Sequence, residues 1–368
     1  MNDVYPIILD ARVLDKPWGR IGMGPELVPG ADPSLSVGEA WLTADNGGQS
    51  VVANGAMAGS TLRDLRTQWG PALMGGQFRD RPDQAFPLLL KLLHANEYLS
   101  VQVHPNDEAA LRLENQPNGK TEAWYIIQAD PGAELVMGLK PGLGVKDLEH
   151  ALDMGRVENI LRRVPARAGE VHYLHAGRLH AIGPGVTLFE IQQNSDITYR
   201  FYDWGRVDSQ GTPRELHRDK AIQVVDLAEP SDYEAFTGLT LSRGALTVTF
   251  LAAGKHFALQ LWETSEPHQE KLQGERFEVL VALSGRGWIL SQSPEPKVVI
   301  SQGQAVILPA ALGKWTLQPD GPVTVLRAFV PDLAADVITP LKTVGFQSEQ
   351  ISLLAGPGIP NDLSPLLI

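Results

Sequence analysis

Apolar residues fall in short runs separated by glycine and proline. The runs favour β-branched and aromatic residues and often alternate with polar ones: Pro87–Leu93, Leu99–Val103, Ala123–Ile127, Ala133–Met137, Val171–Leu174, Thr187–Gln192 and Thr198–Tyr202. Short alternating segments at this rhythm predict an all-β sandwich or barrel. Three stretches break the pattern. Ser60 stands where it can cap a helix over Leu62–Trp69, with Asp64 in the first turns. Asn106 or Asp107 can cap Glu108–Glu114. Leu148, Leu152, Val157, Ile160 and Leu161 recur at roughly helical spacing, which predicts one or two helices over Val145–Arg163, with Arg162 and Arg163 at the negative end of the dipole. The helical insertions thus lie at about 55–75, 106–116 and 145–163.

A second β-rich block begins near Thr240. Its strands are expected at Ala245–Leu251, Phe257–Glu263, Phe277–Ser284, Gly287–Ile289, Val298–Ile300, Ala305–Leu308 and Val323–Phe329, with Ser284-Gly285-Arg286-Gly287 as a hairpin turn. The polar segment Asp203–Asp232 reads as a connection, so the chain divides into 1–232 and 233–368. No element is assigned after Pro331.

Composition narrows the function classes. The chain has 368 residues, 43% of them hydrophobic, enough for sizeable cores. A net charge of −12 without any Lys/Arg block argues against nucleic acid as a partner. An anionic substrate would need a local basic pocket. Cysteine is absent, which removes disulfides, thiolate ligands and a Cys nucleophile. Any metal must therefore be held by histidine, carboxylate or amide oxygen. Residues Met1–Trp18 lack the pattern of a secretory leader, and no apolar run reaches membrane-spanning length, so a cytoplasmic protein is expected. Nothing in the pattern fixes the oligomeric state.

Chemistry concentrates at Val101-Gln102-Val103-His104-Pro105. Residues two apart in a strand share a face, so Gln102 and His104 look into one interior. Glu122 and His180 are further candidate ligands, and this set would leave an open position for water or substrate. Spacing alone does not join the four, and a single strand histidine is more often simply packed. His94, His150, His172, His175, His217, His256 and His268 are read that way. Lys120 shares a face with Glu122, as Glu190 does with Gln192. Lys91 and Arg200 are cations in otherwise apolar strands, costly to bury unless paired. They fit either cross-strand salt bridges, such as Lys120 with Glu190, or a cavity lined with both signs for a polar anionic sugar. Asn194-Ser195-Asp196 is either a local turn or a loop at the mouth of that cavity.

Five segments, in order, resemble type I mannose-6-phosphate isomerases. They are Lys91-Leu92-Leu93, Leu99 to Asp107, Gly119 to Tyr125, Gly177 to Gly183 and Glu190 to Arg200. Lys16-Pro17-Trp18-Gly19 fits as well, and the strong resemblance spans roughly residues 10–205. It implies two cupin domains, the first catalytic and the second without metal ligands. It implies one Zn²⁺, or another divalent transition metal, held by Gln102, His104, Glu122 and His180. It places the family's active-site cations on Lys91, Lys120 and Arg200 and its acids on Glu190 and Asp196. The reaction implied is interconversion of mannose 6-phosphate and fructose 6-phosphate through an enediol. The same scaffold would also suit an isomerase of another phosphosugar or a sugar-binding cupin without activity. One departure stands out: His175 occupies a position where the family usually has proline.

Overall fold

The computed structural model describes residues 4–46, 50–81, 84–208, 210–227, 236–356 and 361–367. The expected boundary at 232/233 falls outside them. Two pairs of facing antiparallel sheets make a mainly β molecule, as the strand rhythm requires. The N-terminal half holds a six-stranded sheet and a five-stranded sheet; the C-terminal half holds an eight-stranded and a four-stranded one.

The six-stranded sheet is the central layer, and its sequence shows why. Leu88, Leu90 and Leu92 on Leu88–Ala95, with Phe189 and Ile191 on Val186–Gln193, face one way. They meet Leu259, Val279, Ile307 and Ala328 of the eight-stranded sheet. Each large side chain contributes about 1.5–3 kcal/mol by leaving water. Leu93, Trp124 and Leu188 face the other way and pack on Leu135, Met137 and Ile182 of the five-stranded sheet. A sheet covered on both faces reads as a near-continuous apolar run, so the polar exceptions on its inner face, Lys91, Glu122 and Glu190, stand out.

Several expectations are corrected. The helix Leu62–Trp69 is present, but Thr61 rather than Ser60 caps it, in a box with Asp64. Asn106 caps Asp107–Glu114, accepting from the Ala109 amide. In the third insertion the α-helix covers Val145–Asp153, and a 3-10 turn follows at Val157–Asn159. Gly155 turns the chain with φ 62°, and Leu161–Pro165 becomes an edge strand on Glu134–Leu139. Arg163 therefore does not cap a helix; it pairs with Glu134 and lies over the Tyr98 ring. Helical spacing misled there because three turn residues sit inside the window.

Ser284-Gly285-Arg286-Gly287 is a corner, not a hairpin. Glu278–Ser284 belongs to the eight-stranded sheet and Arg286–Ser291 to the four-stranded one, so the chain changes sheets at Gly285. The connecting segment contains a helix, Arg218–Val224, whose Ala221 is buried against Val101 and Tyr199. Ile7–Asp10 and Val51–Val52 extend the eight-stranded sheet of the other half. After Pro331 the chain forms a π-helical turn, Leu333–Ile338, and helices Thr339–Thr343 and Ser348–Ser352. Val337, Leu341 and Ile351 close the C-terminal core. No helix among the described residues is long and apolar enough to cross a membrane.

Candidate active site

Strand register assembles the site. Val101–Val103 runs between His180–Ile182 and Tyr199–Tyr202 in the five-stranded sheet. Gln102 is directly opposite His180 on one side and Arg200 on the other. In the facing sheet Glu190 pairs with Lys91, and Gln192 with Glu122. Residues scattered over more than a hundred positions thus meet across one gap.

His104, Glu122 and His180 are 2%, 0% and 1% exposed, and their ligand atoms lie within 4.8 Å of one another. His104 donates Nδ1–H to the Ile197 carbonyl at 2.9 Å, and His180 donates to Arg178 at 2.8 Å. Both Nε2 lone pairs are thereby turned inward, to 3.7 and 3.3 Å from the Glu122 carboxylate. His104 Nε2 has no hydrogen-bond partner. Lone pairs converging on a carboxylate repel unless a cation sits among them. Burial, aided by Lys120, holds His104 well below the ordinary histidine pKa and His180 at about 3, so both are neutral, the form that binds metal. Burial also pushes Glu122 up, against the pull of Lys120. An added cation would favour its charged form. The donor set therefore fits a divalent ion. The Gln102 amide nitrogen lies 3.3 Å from His180 Nε2; a half-turn of the amide presents its oxygen there without change of shape.

The cations line the cavity beside this cluster. Lys91 Nζ is 2.9 Å from Glu190, and Lys120 Nζ is 3.0 Å from Glu122, all four residues being buried. The pairing suggested from the pattern, Lys120 with Glu190, gives way to these two. Trp124 Nε1 donates to Glu190 at 3.0 Å. Burial would raise Glu190, but Lys91 and then Lys120 outweigh it and hold the carboxyl well below the usual range. The cavity is about 390 Å³. Lys16, Lys91, Lys120, Arg200 and Arg214 line it against Glu39, Glu190 and Asp196. This is the local excess of positive charge that an anionic substrate needs in an acidic chain. Arg200 is held by the Glu215 carbonyl at 2.7 Å, leaving its Nε without a partner. Asp196 is exposed where this cavity meets a wider cleft of about 870 Å³, so Asn194-Ser195-Asp196 forms part of the mouth.

Lys16, Trp18, Glu39 and Arg214 were not singled out as site residues by pattern. Lys16 and Arg214 lie over the Trp18 ring, 5.4 and 5.3 Å from its centroid, and Lys16 pairs with Glu39 at 3.2 Å. Lys16-Pro17-Trp18-Gly19 was the available signal; Arg214, in a polar connection, gave none. His175 stays outside the cluster, its ring 4.8 Å from that of Tyr173.

Two facing-sheet halves with a buried His–Glu–His cluster beneath a cation-rich cavity define a metal-site protein of the cupin class. The phosphomannose isomerase type I catalytic domain matches residues 7–123. Mannose-6-phosphate isomerase of Streptococcus mutans is 35% identical over 318 residues, covering 86% of this chain and 96% of that protein. Mannose-6-phosphate isomerase ManA of Bacillus subtilis is 38% identical over 287 residues, covering 78% and 88%. The crystal structure of a Bacillus subtilis mannose 6-phosphate isomerase superposes with TM-score 0.79 at 32% identity, over 88% of this chain and 99% of that one. The chain belongs to the type I phosphomannose isomerase family.

Proposed function

We propose that the protein interconverts mannose 6-phosphate and fructose 6-phosphate in this cavity. The observation that carries the reading is the buried His104–Glu122–His180 triangle opening beside Lys91, Lys120 and Arg200. Relatives at 35–38% identity bear the name of that enzyme.

We assign Gln102, His104, Glu122 and His180 as ligands of one Zn²⁺, a metal that accepts imidazole and carboxylate together. When bound, such an ion supplies Lewis acidity toward the sugar oxygens and stabilises charge that develops on them. Isomerisation also needs a proton moved between C2 and C1. Glu190 is poorly suited to accept it, since Lys91, Lys120 and the Trp124 N–H lower its proton affinity and make it a weak base. Lys120, beside the metal cluster, and Asp196, at the mouth, are the groups placed to carry it. A positioned proton carrier typically contributes about 10²–10⁴-fold. Arg200 and Lys91 supply fixed positive charge for the developing oxyanion and the phosphate. The lack of cysteine and a phosphorylated substrate agree with a cytoplasmic setting. A panel of aldose phosphates tests the assignment: mannose 6-phosphate should give the highest kcat/KM, and preference for a different sugar would reassign the substrate while keeping the chemistry.

A further inference from the structure

The C-terminal half has a second cavity, of about 360 Å³, between its eight-stranded and four-stranded sheets. It occupies the position in that half that the catalytic cavity has in the other. The inner face of the larger sheet again carries a cross-strand polar group. Gln260 is opposite Arg327 in register. Arg327 grips Glu278 with two nitrogens, and it also donates to Gln260 at 3.0 Å. All three side chains are buried, in a core otherwise built of leucine, valine, phenylalanine and tryptophan. Burying such a group is costly compared with apolar packing, so stability alone does not account for it.

Of the four carboxylates that line this cavity, Glu275 is exposed and the other three have donors. Glu278 is held by Arg327, Asp336 accepts from Arg276 at 2.5 Å, and Glu270 accepts from His268 at 3.0 Å. Two buried donors are not taken. Trp315 is 1% exposed, lines the cavity, and its Nε1–H has no partner; the buried Nε–H of Arg276 on the same wall has none either. A buried donor left unmet is costly, and a ligand acceptor would recover that cost. Among the described residues no buried acceptor on this wall is unmet; the carboxylate of Glu275, also in the lining, is exposed.

We propose that this cavity is a second binding site, separate from the metal cluster, for a small molecule bearing a carboxylate or phosphate group. Its oxygens accept from Trp315 Nε1 and Arg276 Nε, and Lys271 on the same wall adds positive charge, Arg243 being paired with Glu270 at 3.4 Å.

The test uses the full chain labelled with ¹⁵N-tryptophan. The Trp315 indole resonance is identified by its loss in Trp315→Phe, which should keep wild-type isomerase turnover. Trp18, on the wall of the catalytic cavity, reports binding there instead. Inorganic phosphate, citrate and neutral mannose are titrated separately. The site predicts a saturable shift of the Trp315 signal with phosphate or citrate, and Arg276→Gln should weaken it about tenfold. Response to phosphate alone identifies a phosphoryl site, and response to citrate alone a carboxylate site. A Trp315 signal that neither anion moves, or that only mannose moves, overturns the proposal. If Arg276→Gln fails to fold, the wild-type titration decides by itself.

Discussion

Backbone carbonyls set the protonation of the proposed metal cluster. With Nδ1–H of His104 and His180 given to Ile197 and Arg178, each ring can offer only Nε2 inward. His104→Ala should accordingly lose both bound metal and isomerase turnover, as measured by elemental analysis beside a rate assay. An active variant without metal would be incompatible with the proposed ligand set. Arg200 should behave differently, because it faces the cavity and touches none of the three residues. Arg200→Ala is expected to keep near wild-type metal content while kcat/KM falls by about 10²–10³. Loss of metal in that variant would make Arg200 a structural residue. Lys91 is a poorer probe of catalysis: removing it leaves buried Glu190 without its partner, at about 3–5 kcal/mol. At this scale the sequence was legible through Gln102 and His104, two apart in a strand. What joins them to Glu122 and His180 is register between strands distant in the chain, which spacing does not carry. Only the family resemblance placed the four together beforehand.

Two elements position the proposed ligands. Val101–Val103 runs into Pro105 and the capped helix Asp107–Glu114, and Gly119 packs directly on the backbone of Pro105 and Asn106. A Cβ at Gly119 would collide with that backbone. Gly119→Ala should therefore destabilise the fold by about 1–3 kcal/mol, read by denaturant titration, and shift Lys120 and Glu122 enough to lower turnover. A variant with unchanged midpoint and rate would remove this argument. The strand Val171–Leu174 carries a second consequence. Burial lowers His172 to about 3, against an ordinary value near 6.5. Between those two values the unfolded chain binds a proton that the folded chain does not, so stability declines as pH falls through that window. His172→Gln should flatten this part of the stability–pH curve, provided the variant folds. An unchanged slope would show that His172 is not the group responsible. Local signals were good where a cap or an alternating run defined the element, as at Asn106 and Val186–Gln193. They failed at Leu161–Pro165, where pairing with Glu134–Leu139 overrides a helical spacing, and at Gly285, where a turn signal marks a change of sheet.

The whole molecule is layered, with the six-stranded sheet between the five-stranded sheet of its own half and the eight-stranded sheet of the other. Ile7–Asp10 ties the N-terminus into the far sheet through Ala305–Leu308, and one continuous apolar core runs between the halves. This contact was not legible in the sequence, because Ile7–Asp10 is apolar enough to suit either half and only tertiary pairing decides. The layering explains why the His104–Glu122–His180 cluster is buried on its Glu122 side and why the adjoining cavity opens beside Asp196. The central claim is that this cavity performs metal-dependent isomerisation of mannose 6-phosphate. Its most direct test is the rate of fructose 6-phosphate formation by the purified chain, before chelation, after exhaustive chelation, and after Zn²⁺ is restored. The account predicts turnover, its loss, and its return with about one metal ion per chain, the single cluster implied by the ligand geometry. Unchanged turnover in the chelated, metal-free protein would contradict it.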